Sequence, residues 1–306
     1  MGVYTKLPDG IDEVDVIIAG GGTAACVIAS RLADVDVNLS ILVIESGPDN
    51  YNVPTITNPI FLFTHIFPNS TTAIFYKAGR ETGVADREVV APSGGVLGGG
   101  SSVNFLTYSR AQRLDFDPWK TPGWSADDML PYLRKSSSFP GDHTNIAPGQ
   151  YLALSAFSVY PYSRGSIHIT GPGLDNTLDF KTDFFSDAHD VDIKKCVWAY
   201  KKQREIFRRM NLYRGELAAG HPPFAVGFPA ACIETDAPLG RDVAPLEYTD
   251  DDDVVLEDWL RRNVASSWHS LGTYKMAPRE ESPRLWCRGL ENRRHEYSAS
   301  ELGCEY

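Results

Sequence analysis

The chain has 306 residues, 42% of them hydrophobic, and a formal net charge of −11. That length allows one large domain or two small ones around a sizeable core, and the acidic balance argues against nucleic acid as a partner. The five cysteines have no regular spacing and form no CxxC pair, so neither a zinc ribbon nor a thioredoxin-like site is indicated, and the pattern fits a reducing compartment or indifference to disulfides.

Residues 1–13 read as a polar, acidic lead-in without the basic start and apolar core of a signal peptide. The next stretch, Val14–Glu45, organises the chain. An apolar run of strand length meets Gly20-Gly21-Gly22. A helical pattern follows, with Cys26, Ala29 and Leu32 on one side, and then a second apolar run that ends in Glu45. Gly20-x-Gly22-x-x-Ala25 within such a βαβ unit fits the dinucleotide fingerprint. Gly20 permits the tight turn. Gly22 lets the backbone approach a pyrophosphate, and Ala25 lets helix and strand pack. The helix start at Thr23 and Ala24 offers free N–H groups to the phosphates, and Glu45 stands where a carboxylate accepts ribose hydroxyls.

From Ser46 to Asp86 the sequence is rich in Pro, Asn, Thr and aromatics and predicts an extended excursion with its own small packing. Arg87–Ala91 predicts a short strand. The second informative segment, Gly94–Tyr108, carries a glycine run and two serines ahead of Val103-Asn104-Phe105-Leu106. Such a loop can expose successive N–H groups and pass close to a flat ligand. The alternative is a flexible linker.

Gly20–Ala24, Glu45 and Leu97-Gly98-Gly99-Gly100-Ser101-Ser102-Val103-Asn104 together resemble the glucose–methanol–choline (GMC) oxidoreductases, nearest their fungal alcohol oxidase branch. Asp117-Pro118-Trp119, Gly123-Trp124-Ser125 and the helix-like Asp127–Arg134 also match. The resemblance implies an α/β fold: a Rossmann-like FAD-binding domain at 1–135, a partial α+β substrate domain at 136–250, and at 251–306 the C-terminal part of the FAD and catalytic segment with a divergent tail. It implies FAD as cofactor, held by Gly20, Gly22, Thr23, Ala24, Glu45, Gly98, Gly99, Ser101 and Asn104. Where Gly95 stands the family usually has a larger polar or basic residue, so Gly95 is expected to loosen the loop.

Past Ser136 the register changes. Tyr162–Thr170 resembles a substrate-domain strand that lies far downstream in other members, so the middle of a usual member is absent between about Arg134 and Gly141. Leu178-Asp179-Phe180 and a helix up to Met210 continue the likeness, with Ile193, Val197, Tyr200, Phe207 and Met210 near one face. Residues 215–247 read as loop. Asp250–Asp253 open a helix that runs to Asn263. Acids at its start and arginines at its end suit the helix dipole, so the acidic run reads as a helix start and no metal site is expected. Ser266–Met276 resembles the segment that carries the family's catalytic histidine, which maps onto His269. The other six histidines match no motif. From Glu281 the resemblance stops, and neither Asn292 nor His295 is licensed as a second catalytic residue.

The resemblance implies oxidation of a CH–OH group, from a short primary alcohol to an aldehyde, with O2 as acceptor. His269 would take the hydroxyl proton, a role an imidazole suits because it titrates near neutral pH. Two alternatives stand beside this reading: a truncated, catalytically impaired member, or a nucleotide-binding protein without redox function that uses residues 14–45 alone. The expected partners are a small alcohol and O2, with no nucleic acid and no membrane; a homo-oligomer stays open. No targeting signal is read at either end, the terminal Cys304-Glu305-Tyr306 not being a Ser-Lys-Leu signal, and the resemblance implies a cytoplasmic or peroxisomal protein.

Overall fold

The computed structural model describes residues 2–105, 113–117, 122–133, 156–173 and 176–269. Leu106–Tyr108, Pro118-Trp119, Ser136–His143 and all positions after His269 lie outside them. Contacts divide the chain into two units, Met1–Phe75 with Pro92–Thr144 and Trp268–Tyr306, and Tyr76–Ala91 with Asn145–Ser267. These cuts differ from boundaries at 135 and 250. The strand pair β3 (Ala73–Glu81) and β4 (Arg87–Gly94) passes from one unit to the other and back.

The first unit opens with β1 (Val16–Ala19), α1 (Thr23–Val35) and β2 (Ile41–Ile44). β1 and β2 pair in parallel, Val16 opposite Ile41 and Ala19 opposite Ile44. This is the expected βαβ unit. Its helix, however, buries Ala25 and leaves Cys26 exposed. The small Ala25 is what permits close packing of helix against strand. The sheet face stays open: Ile17 is 63% exposed and Ile44 54%. The Pro- and aromatic-rich excursion contains one turn of helix, α2 (Pro54–Thr57), a 3₁₀ helix at Pro59–Ile66 and then β3, which the sequence did not predict. β4 covers the predicted Arg87–Ala91 and runs on to Gly94. Three short helices follow, α3 (Gly100–Val103), α4 (Arg113–Phe116) and α5 (Ala126–Leu133). At the start of α5 the Ser125 N–H and hydroxyl donate to Asp128 at 3.0 and 2.7 Å.

In the second unit β5 (Ser166–Ile169) pairs antiparallel with β6 (Leu178–Lys181). Its core lies between α6 (Val191–Arg208) and α7 (Asp250–Asn263), where Tyr200, Phe224, Ala230 and Leu256 are buried. The buried face of α6 carries Ile193 and Tyr200, as the stripe predicted, but continues with Arg204 and Arg208, while Met210 lies beyond the helix end. Arg204 is buried because Glu216 binds it through both carboxylate oxygens, at 2.8 and 2.5 Å. Ala218–Gly220 forms a 3₁₀ turn within the otherwise irregular 215–247 stretch.

α7 begins with a capping box: the Asp252 N–H donates to Thr249 Oγ1 at 3.2 Å, and the Thr249 N–H donates to Asp252 Oδ2 at 2.8 Å. The acidic run is therefore a helix start, as read from the sequence. Thr249→Ala is expected to cost about 1 kcal/mol, measured as a lower urea midpoint with an unchanged slope. At the other end of α7, Arg87 Nη2 donates to the carbonyls of Arg261 and Val264 at 3.1 and 2.6 Å, which satisfies helix-terminal acceptors. Cys26, Cys196 and Cys232 are free thiols. Among the described residues no helix is long and apolar enough to cross a membrane.

Candidate cofactor site

The site is built where β1 turns into α1. Gly20 sits at φ +88°, a conformation that favours glycine, and its N–H donates to the Ile44 carbonyl at 2.7 Å. The next N–H, of the buried Gly21, donates to Glu45 Oε2 at 2.6 Å, and Glu45 Oε1 accepts the Gly47 N–H at 2.7 Å. Glu45 thus ties the end of β2 to the turn after β1. Each carboxylate oxygen has two acceptor directions, and the turn takes one of each. Gly22 is the N-cap of α1 and supplies no side-chain cap, and the first turn holds no acid. The leading N–H groups, at Thr23 and Ala24, therefore have no partner inside the helix.

The glycine-rich segment lies directly across this helix start. The Gly98 N–H donates to the Gly21 carbonyl at 2.7 Å. Thr23 Oγ1 donates to the Gly98 carbonyl and accepts the Ser101 N–H, both at 3.2 Å. Ser101 Oγ closes the loop on the Gly98 carbonyl at 2.6 Å, and Asn104 Nδ2 donates to the Ser101 carbonyl at 2.9 Å. Gly99, at φ +56°, is so close to the first motif that an added Cβ would come within 2.9 Å of Gly22 Cα. A flexible linker would not be buried in this way, and Gly95, Val96, Gly98 and Gly99 all are.

The expected loosening at Gly95 is corrected by the structure. Its N–H donates to the Thr72 carbonyl at 2.9 Å, and a Cβ there would meet Ile74 Cγ1 at 2.5 Å. The loop entry is pinned, and it is pinned by the absence of a side chain. Sequence reasoning also missed Asn50, whose Nδ2 donates to Ser102 Oγ at 3.0 Å. Asn50 sits in a Pro- and Asn-rich stretch with no periodic signal to mark it.

His269 is exposed, and the residue before it carries the connection to the loop. Trp268 stands edge-on to Phe105, with ring centroids 4.7 Å apart and planes at 86°. Phe105 directly follows Asn104 and packs on its other side against Phe63, at 5.7 Å. Residues some 160 positions apart in sequence thus meet at the end of the glycine loop. Asn292 and His295 lie outside the described residues. Of the other histidines, His65 and His221 are occupied internally: His65 Nδ1 pairs with Thr72 Oγ1 at 2.7 Å and His221 Nδ1 with Tyr200 Oη at 2.7 Å. His168 and His189 are exposed. Among the described residues no cluster of three or more His, Cys, Asp or Glu could hold a metal ion.

The arrangement fits a dinucleotide. A helix start whose leading N–H groups have no partner inside the helix and whose first turn holds no acid suits a pyrophosphate, an acidic side chain follows the second strand, and a side-chain-free strap lies across the turn. These features define an α/β dinucleotide-binding protein. The chain belongs to the GMC oxidoreductases: two family models with that description match residues 14–194 and 161–292. It is an oxidoreductase by family, and FAD is the cofactor of that family. The second match begins beside Tyr162–Thr170 and runs past Glu281 to residue 292, so the likeness extends beyond the motifs that end at Glu281. The chain is 41% identical to an alcohol oxidase of Candida boidinii over 42% of its own length and 19% of the relative's. It is 40% identical to an alcohol oxidase of Pichia angusta over 56% of its length and 27% of the relative's. A solved pyridoxine 4-oxidase from Mesorbium loti is 29% identical, with 39% of this chain and 24% of that chain covered and a TM-score of 0.36. The matches to these relatives span well under a third of their lengths.

Proposed function

We propose that this chain binds FAD across the α1 start and the Gly98–Ser101 strap and serves the oxidation of a small primary alcohol to its aldehyde with O2 as acceptor. The observation that carries this reading is the set of hydrogen bonds from Gly98 and Ser101 to Gly21 and Thr23, which makes one cradle of two motifs 75 residues apart. When bound, FAD supplies the acceptor for the hydride leaving the alcohol's α-carbon. The chain's own residues do the rest. First-turn N–H groups of α1 would donate to the pyrophosphate, and Glu45 would accept from the ribose hydroxyls. Gly98 and Gly99 let backbone approach the ring, and Ser101 and Asn104 keep the strap closed. His269 takes the hydroxyl proton as general base. The alcohol oxidases of Candida boidinii and Pichia angusta support the substrate class.

A second reading, in which the chain holds the cofactor without turning over, is favoured by the open sheet face at Ile17 and Ile44. A visible absorption spectrum of the purified protein decides between them. Flavin bands that bleach anaerobically on addition of a primary alcohol support oxidation, bands that do not bleach support the second reading, and the absence of bands overturns both. His269→Ala is expected to abolish bleaching while the flavin bands persist. Unchanged bleaching removes His269 from the reaction.

A further inference from the structure

The 3₁₀ helix at Pro59–Ile66 touches both ends of the glycine strap. Its Phe63 ring packs on Phe105 at the exit. Its His65 reaches the entry through a short chain of bonds. His65 is 4% exposed and Thr72 is 5% exposed. Their side chains meet at 2.7 Å, Ser70 Oγ lies 3.1 Å from Thr72 Oγ1, and the Thr72 N–H donates to Ser70 Oγ at 3.2 Å. The Thr72 carbonyl then accepts the Gly95 N–H at 2.9 Å. Between this helix and the strap lies a cavity of about 60 Å³, walled by His65, Thr55, Asn58, Ser101, Ser102 and Asn104 among others. A histidine this buried, whose ring nitrogen is spent on a threonine that holds a backbone bond, has its clearest effect on where that backbone goes.

We propose that His65 is a positioning residue for the cofactor: through Thr72 it fixes the entry of the Gly95–Asn104 strap onto the start of α1. The proposal rests on the strap's role in binding FAD, as inferred above. Gly95 has no side chain of its own to lock the turn, so the Thr72 bond is its lateral anchor. Thr72 and Gly95 continue the β3–β4 pair by one bond, and the His65–Thr72 contact adds a side-chain hold at that rung.

Protonation of this ring works against the folded state. Burial pushes the His65 imidazole below its ordinary value, and the Thr55 carbonyl offsets this in part. No charged side chain faces the ring among the described residues; the cavity wall and the Ser70–Thr72 segment offer only neutral groups. Because the folded state prefers the neutral ring, the stabilisation is complete above about pH 6.5 and declines as pH falls below it.

The test is hydrogen exchange at the Gly95 amide together with FAD affinity, read by flavin fluorescence across pH 5–8, on the full chain. For His65→Ala, Gly95 exchange is expected to rise about tenfold or more and FAD affinity to fall about tenfold, while α7 amides keep their protection. His65→Asn, which can return a hydrogen bond to Thr72, is expected to restore both and to flatten the loss of affinity below pH 6.5. Thr72→Val removes the hydroxyl at nearly constant shape and should reproduce His65→Ala without opening a cavity. Unchanged Gly95 exchange in both His65→Ala and Thr72→Val overturns the proposal, and so does an acid profile of FAD affinity that His65→Asn leaves intact. If the wild-type chain takes up no FAD, the proposed function falls, and Gly95 exchange alone still decides the role of His65.

Discussion

Gly99→Ala is expected to weaken FAD binding by about 30- to 150-fold, a loss of about 2–3 kcal/mol. Two effects add. Gly99 sits at φ +56° and ψ −138°, far from the regions that residues with a side chain occupy. The new methyl would also come within 2.9 Å of Gly22 Cα and 3.4 Å of the Thr23 nitrogen, against backbone that cannot rotate away. Relief requires the strap to lift off the start of α1, which stretches the Gly98–Gly21 and Ser101–Thr23 bonds. Titration of the apoprotein with FAD, followed by quenching of flavin fluorescence, measures the effect. Gly220→Ala is the control, since a Cβ at Gly220 meets nothing within 4 Å. Equal affinities for the two variants would show that the strap is not part of the binding surface.

For Arg204→Ala the expected result is a loss of about 3–5 kcal/mol in the stability of the second unit. Arg204 is 2% exposed in the middle of the α6 face. Besides its two bonds to Glu216, it donates to the Ala230 carbonyl at 2.9 Å and to Tyr248 Oη at 3.0 Å. The rings of Tyr200, Phe224 and Tyr248 surround the guanidinium at 5.3–5.9 Å. Burial opposes its charge, but the hydrogen bonds and charge of Glu216 outweigh that and hold Arg204 above its ordinary value. Truncation leaves Glu216 buried without its partner and a void beside three aromatic rings. Urea unfolding followed by near-ultraviolet circular dichroism reads the loss. The double variant Arg204→Met with Glu216→Leu is expected to regain most of it, because both charges leave together. A single variant as stable as the wild type would mean that the pair contributes nothing.

Arg204 also shows where sequence reading stops. The apolar stripe of α6 pointed correctly to Ile193 and Tyr200. It could not include Arg204 and Arg208, because an arginine enters a core only when a partner is brought to it: Glu216 and the Ala244 carbonyl both come from beyond the end of the helix, and Glu205 adds a second partner for Arg208. β3 was missed for a related reason. Its run contains Lys77, Gly79 and Arg80 and lacks clean alternation, so its strand character comes from pairing with β4. The resemblance sets Gly95 apart as a smaller residue than the family's usual one, and the neighbours that pin it, Thr72 and Ile74, come from a segment with no periodic signal.

The sequence by itself determined the local chemistry: the βαβ unit with Gly20, Gly22 and Glu45, the glycine strap, the capped α7 and the family to which they belong. These are set by residue type at short spacing, where backbone sterics and orphan helix N–H groups leave few choices. Only the tertiary structure decided that Gly98 and Ser101 bond to Gly21 and Thr23, that Trp268, next to His269, packs against Phe105, and that His65 bonds Thr72, whose carbonyl takes the Gly95 N–H. Apart from the His65–Thr72 pair, seven residues apart, and the Thr72–Gly95 bond, those contacts join positions more than 70 residues apart, and no short-range pattern encodes them. They exist because folding closes the intervening chain and offers each buried polar group one partner.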